Sequence, residues 1–276
     1  MNINLRPAAV AGMFYPESAV VLARDVAKLL SGAAPQPGFC PKAIIAPHAG
    51  YIYSGTVAAS VFAPLVTRRG TIRRIVLLGP THRVAIDGLA LPASSAFETP
   101  LGAVPVDQTA VDTIKGLPQI VVSDTAHAQE HSLEVQLPFL QSVFGDDLDS
   151  FSLLPLAVGR ASPEQVAEVL ELLWGGKETL IVVSSDLSHY LPYDQARHVD
   201  AQTAHAILAL SPTILHQQAC GATPINGLIL AARQHGLQAS LVDQCNSGDT
   251  SGDKSRVVGY GAFAFCEKAR EVAHHA

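Results

Sequence analysis

Three apolar, strand-like runs in this chain each break off at a loop that carries a histidine: AIIAPHAG around His48, IVLLGPTHR around His82, and IVVSSDLSHY around Asp186 and His189. Continuous apolar runs, as opposed to alternating ones, belong to strands covered on both faces, and such strands pair in parallel. Loops at the carboxyl ends of parallel strands gather on one edge of the sheet, so these residues are predicted to meet in one composite site. A fourth loop, DQCNSGDTSGD, sets Cys245 close to Asp243, Asp249 and Asp253. Imidazole, thiolate and carboxylate together point to metal chemistry.

The rest of the chain supplies the covering helices. Val20 to Leu30 reads as an amphipathic helix, and Ser54 is expected to cap a helix through Val66. Asp107 starts another that runs to Lys115. Glu130 to Phe144 has helical spacing, with Pro138 as a kink and Glu130 and Glu134 on its polar face. Ser162-Pro163-Glu164-Gln165 has the form of a capping box with proline in the first turn, and Thr223-Pro224 repeats the Thr and Pro signal. Strands are expected near 42–46, 72–78, 88–92, 151–158, 180–183, 239–242 and 257–265. Alternating strands and helices, with no linker or internal repeat, predict an α/β fold: one domain over residues 1–276, a three-layer α/β/α sandwich.

Composition narrows the function. At 48% hydrophobic and 15% charged residues, against about 25% charged in ordinary usage, much of the chain faces inward. The net charge of −6 and the lack of a Lys/Arg run give no footprint for nucleic acid. No stretch reaches the roughly 18 apolar residues of a membrane span, and MNINLRPAAVAGMFYP lacks a basic segment followed by a continuous apolar core and cleavage site, so no secretory leader is expected. The four cysteines form no C-x-x-C pair. A cytoplasmic protein is expected. Nucleotide-binding G-x-x-x-x-G-K-S/T and G-x-G-x-x-G loops, the G-x-S-x-G elbow and the H-E-x-x-H zinc motif are all absent.

Each candidate residue has a functional and a bland reading. His48 and His82 are either ligands or hydrogen-bonded loop residues. Cys245 is either a third ligand, with the loop carboxylates as rivals, or a small buried hydrophobe. Asp186 is close enough to His189 to orient it as an acid or base, and equally placed to cap a helix. His131 and Glu134 share an H-x-x-E spacing suited to one helical face. Tyr51 and Tyr53 either contact a substrate or pack over the loop.

AGMFYP at 11–16, APHAGYIYSG at 46–55, LGPTHR at 78–83, EHSLEVQLPFL at 130–140, SSDLSHY at 184–190 and CNSGDTSGD at 245–253 together resemble the Memo family over essentially the whole chain. The resemblance implies a central mixed sheet like that of the LigB-type class III extradiol dioxygenases, which are non-heme iron enzymes. It implies a metal set of His48, His82 and Cys245, with Asp186 and His189 lining the same cleft and His131 and Glu134 supporting it. The dioxygenases use a carboxylate as third ligand, whereas this chain matches Memo proteins in offering cysteine, a softer donor that favours Cu(I), Zn or an iron of altered potential. Bacterial members are described as protein B of an AmmeMemoRadiSam system, which implies radical-SAM and AMMECR-type partners.

The expected function is redox chemistry at one mononuclear metal (Fe, Cu or Zn), with His189 moving protons, Asp186 steering it, and an aromatic small molecule as substrate. Two other readings stay open: a metal-handling or peptide-binding protein without catalysis, and a zinc-dependent hydrolase with His189 or Glu134 as base.

Overall fold

The computed structural model describes residues 4–36, 38–145 and 151–268. In chain order the elements are β1 (Leu5–Arg6), α1 (Ala19–Ser31), β2 (Ala43–Ala46), α2 (Tyr51–Phe62), β3 (Arg74–Pro80), β4 (Leu89–Leu91), β5 (Ala96–Thr99), β6 (Gly102–Pro105), α3 (Gln108–Ile114), β7 (Ile120–Val122) and α4 (Asp124–Ala128). They continue with α5 (Leu137–Phe144), β8 (Ser152–Val158), α6 (Pro163–Leu173), β9 (Thr179–Ser184), β10 (His189–Leu191), α7 (Tyr193–Leu208), α8 (Ala222–Gln234), β11 (Leu237–Asn246), α9 (Ser247–Ser251) and β12 (Val257–Glu267).

The apolar runs become neighbouring parallel strands in the order β2-β9-β3-β8, at the centre of a nine-stranded sheet. Antiparallel β12 flanks β2, and β4 flanks β8, so the sheet is mixed. Successive residues of each central strand enter opposite cores. Ile44, Ile75, Leu77 and Val182 pack with Leu22 of α1, Val57 of α2 and Phe139 of α5. Ile45, Val76, Leu78 and Val183 pack with Leu170 of α6, Ile207 of α7 and Ile229 of α8. This period-two division, with apolar side chains on both faces, makes three layers. A small sheet of β1, β5 and β6 lies apart.

Local signals held where a side chain could satisfy a helix end. Ser162 and Gln165 form the reciprocal capping box of α6, and Asp107 accepts from the Ala110 N–H at the start of α3. Other expectations are corrected. Ser54 lies inside α2, which begins at Tyr51 behind Gly50, and its hydroxyl donates back to the Ala49 carbonyl at 3.0 Å. That helix tightens to 3₁₀ geometry at Ala63–Arg68, where Pro64 has no N–H to continue the ladder. Residues 130–144 are not one kinked helix: a 3₁₀ turn at Glu134–Gln136 precedes α5, and Pro138 sits in the first turn of α5, where a missing N–H costs nothing. Thr223 is likewise inside α8, behind an N-cap at Gly221. His189, expected in a loop, enters β10 and pairs with Val258. The carboxyl-terminal His274 and His275 lie outside the described residues. Among the described residues, no helix is long and apolar enough to cross a membrane.

Candidate metal centre

Because β2, β9 and β3 lie side by side, the loops leaving their carboxyl ends are neighbours. The first carries His48, the second Asp186, with His189 opening β10 just beyond it, and the third His82. His131, from the turn after α4, completes a triangle of imidazoles. Ring centroids are separated by 5.2 Å for His48–His82, 5.3 Å for His48–His131 and 4.5 Å for His82–His131. Two close approaches of backbone make this packing possible. A Cβ on Gly79 would come within 2.7 Å of the Ser132 hydroxyl, and one on Gly221 within 2.6 Å of the Ser185 Cβ. Gly221 thereby lets its neighbour Cys220 reach the histidines, with Sγ 3.3 Å from His48 Nε2.

The hydrogen bonds settle which ring nitrogens are free. The Ser184 hydroxyl has one proton and donates it to the Ser132 carbonyl at 2.5 Å, since a carbonyl only accepts. Its lone pairs therefore accept from Gln136 Nε2 at 2.8 Å and from His48 Nδ1 at 2.9 Å. His48 Nδ1 is protonated, and the lone pair of Nε2 faces Cys220. At His82 the orienting group is Glu130: Nδ1 lies 2.9 Å from Oε1, which leaves Nε2 with its lone pair. Glu130 Oε1 also accepts from the backbone N–H groups of His131 and Ser132, each at 2.9 Å, and Oε2 accepts from that of His82 at 2.5 Å. Burial alone would raise this carboxyl, but the bonds from His82 and the backbone outweigh it and hold the carboxyl down to about 2. Glu130 is thus an anchored carboxylate with its oxygens engaged.

Burial, followed by the charges of the neighbouring rings, holds His48 well below the ordinary histidine range. Burial likewise lowers His131 to about 4. Neutral imidazole is the form that ligates metals. Burial, with the Asp186 charge next, pushes the Cys220 thiol up to about 12, so without a cation beside it the sulfur keeps its proton.

His48, His82 and Cys220 bring one donor atom each to within 4.8 Å of one another. Two donors at about 2.0–2.3 Å from one tetrahedral ion stand about 3.5 Å apart, close to the 3.3 Å between His48 Nε2 and Cys220 Sγ. The donor set fits an ion that accepts nitrogen and sulfur. His82, Glu130 and His131 meet the same distance limit, but the oxygens of Glu130 are already taken by four N–H groups.

The structure rearranges several sequence expectations. Cys245 is not in the donor group: β11 pairs it with Tyr260 on β12, and it lines a separate cavity with Tyr193, Arg197 and Asp200. The carboxylates expected as its rivals are also engaged locally. Asp249 accepts from the Asn246 N–H and the Tyr193 hydroxyl, Asp253 from Ser255, and Asp243 from the Gln244 N–H. Asp186 does not reach for His189. It accepts from the backbone N–H of His48 at 2.7 Å, while the His189 ring bonds the Leu187 backbone. Burial pushes the Asp186 carboxyl up to about 7.

His131 and Glu134 do not share a helical face, because no helix spans both: Glu134 opens the 3₁₀ turn and His131 lies before it. Glu134 points away, into a buried ion pair with Arg6, and accepts from the Ala9 and Val10 N–H groups and the Tyr15 hydroxyl. Arg6 in turn donates to the Glu130 and His127 carbonyls, so this pair clamps the amino-terminal AGMFYP segment against the turn that carries His131. Phe14 then lies 4.7 Å from the His131 ring, centroid to centroid. Tyr51 is buried and donates to the Val135 carbonyl, and Tyr53 is exposed.

Two residues of this arrangement escaped sequence reasoning. Cys220 lies in an unremarkable QQACGATP stretch, whose one signal is a Cys-Gly pair at a helix start. Glu130 was legible only as half of a polar face.

A family model describing Memo-like proteins matches residues 6–264. MEMO1 family proteins of Ignicoccus hospitalis and Aquifex aeolicus are each 37% identical to this chain over 95% of its length, covering 98% and 100% of those proteins. The Methanosarcina acetivorans MEMO1 family protein is 37% identical over 95% of the chain and 99% of its own length. A solved structure, that of an uncharacterized Escherichia coli protein, aligns with a TM-score of 0.49 at 10% identity, covering 80% of this chain and 98% of that one. The match along nearly the whole length, by family model and by relatives alike, means that the chain belongs to the Memo family.

Proposed function

We propose that this Memo-family chain holds one metal ion on His48 Nε2, His82 Nε2 and Cys220 Sγ, and uses it for redox chemistry on a small molecule. The observation that carries the reading is the tautomer arrangement: Ser184 and Glu130 take the Nδ1 protons of two converging imidazoles and leave two lone pairs beside a sulfur. An ion bound there would supply a Lewis-acidic or one-electron centre, and a nitrogen–sulfur donor set suits Cu(I), Zn or iron better than a hard cation.

The surrounding residues have separable tasks. Ser184 and Glu130 orient the rings. Asp186 fixes the backbone of the His48 loop. His189, half-buried, has one ring nitrogen on the Leu187 backbone and is depressed by burial and then by His82. That depression favours the neutral ring, the form that can take up a proton. Glu134, locked on Arg6, is not a candidate base. Cavity space of about 720 Å³ reaches His82 and Cys220, room for a small molecule beside the donors.

The test is stoichiometric loading. Wild-type protein dialysed against Zn(II), Cu(I) or Fe(II) under anaerobic conditions is expected to retain one ion per chain by plasma emission spectrometry, and His82→Ala to retain none while still melting cooperatively. Undiminished loading of His82→Ala overturns the assignment. Oxygen uptake with a panel of catechols then separates an oxygenase from a protein that only holds metal.

A further inference from the structure

The cavity that reaches His82 and Cys220 is also lined by the apolar Val84, Ile86 and Val158 and by the basic Arg83, Arg160 and His216. Its one acidic lining residue, Asp87, is bonded by Arg160, with Nε 2.6 Å from Oδ1. His216 faces the Thr223 hydroxyl at 3.4 Å. Arg83 has no hydrogen-bond or ion-pair partner among the described residues, although it is near enough to His131 to help depress that ring. The cavity lining is therefore left with one uncompensated guanidinium, on a chain whose net charge is −6.

We infer that Arg83 is the specificity-determining residue of this site, and that the substrate is a small carboxylate on an apolar body. The apolar body would lie against Val84, Ile86 and Val158, and its carboxylate would accept from the Arg83 guanidinium, whose planar fork matches two oxygens. Arg160, already neutralised by Asp87, contributes less. The inference deepens the metal-centre reading and rests on it for the identification of the bound molecule as a substrate.

The experiment uses isothermal titration with two isosteric probes that differ in charge, 4-hydroxybenzoate and 4-hydroxybenzamide, against the full chain, metal-free and zinc-loaded. Wild type is expected to bind the carboxylate about tenfold more tightly than the amide, the scale of one charge-assisted hydrogen-bonded pair. Arg83→Gln should bring the two within about twofold, with part of the preference returning in Arg83→Lys, because charge is kept and the fork is lost. Thermal melts check that the variants are folded, and zinc content is read in parallel. Equal binding of the two probes by wild type, no binding of either, or an undiminished preference in Arg83→Gln overturns the inference. Failure of zinc to load, with the Arg83-dependent preference intact, overturns the metal centre instead.

Discussion

Cys220 and Cys245 are both raised to about 12 by burial, and both have acidic residues near them, yet their surroundings give them different capacities. Cys220 lies at the amino-terminal edge of α8, facing a ring nitrogen whose lone pair is set by Ser184. Cys245 lies in an antiparallel ladder between β11 and β12, and its carboxylate neighbours are engaged in turn and cap bonds. A thiol becomes a ligand through the other donors that converge on it, and parallel strands supply convergence where an antiparallel ribbon does not.

The largest expected effect follows directly. Cys220→Ser removes the one sulfur in the donor group, and zinc affinity measured by competition with a chromophoric chelator should fall by more than the ~10–100-fold that loss of an orienting partner causes. The same ligand role predicts that zinc binding to wild type releases the Cys220 proton, visible as a buffer-dependent binding enthalpy that Cys220→Ser lacks. Wild-type affinity in the serine variant would remove Cys220 from the centre.

Stability sharpens the contrast from the other side. Asp200, in the Cys245 cavity, is buried, and burial outweighs the bond from the Ser188 N–H, raising its carboxyl to about 6. A carboxyl whose folded pKa lies above its unfolded value of 3.8 binds its proton more tightly in the folded chain. Its contribution is therefore favourable at low pH and is lost as pH rises from about 4 through about 6. The full shift corresponds to at most about 3 kcal/mol. Asp200→Asn keeps an oxygen for Ser188, so the variant should be more stable than wild type at pH 7 and match it near pH 4 in urea titrations. Parallel pH profiles for the two proteins would show that Asp200 does not titrate in this window.

Glu130→Gln is expected to come next. The amide still accepts one bond but no longer offers a charge to His82 Nδ1, so the ring loses its orientation, and metal affinity should drop by about 10–100-fold. Folding should be affected less than by loss of Glu134, where removal of one partner strands a buried Arg6 charge at a cost of about 3–5 kcal/mol. A Glu130→Gln protein with unchanged affinity would mean that the second donor of His82 is set by something other than this carboxylate.

The fold was legible where chemistry repeats locally. Apolar runs announced β2, β3, β8 and β9, and the Ser162 box announced α6, because those signals are satisfied within a few residues. The histidines at strand ends were legible because Pro47 directly follows β2 and Pro80 is the last residue of β3, and neither has an N–H to carry the ladder further. Partner choice was not legible. Glu130 and Glu134 are one turn apart in an unbroken pattern, and only the tertiary position of Arg6 draws one away and leaves the other for His82. Likewise Cys220 carries no motif, since its closeness to His48 depends on Gly221 fitting against Ser185, a contact between distant segments.

The smallest expected effect is the most informative for the family comparison. Resemblance alone points to Cys245 as the sulfur ligand, whereas the geometry points to Cys220, so Cys245→Ser should leave zinc affinity within about twofold of wild type and preserve one ion per chain. The substitution also keeps a small side chain opposite Tyr260, so the β11–β12 register has no reason to shift. Should Cys245→Ser instead strip the ion while Cys220→Ser retains it, the end of β11 must move toward His48 when metal binds, and Cys220 would be the thiol displaced. Measured side by side on one preparation, the two serine variants decide which sulfur completes the imidazole pair.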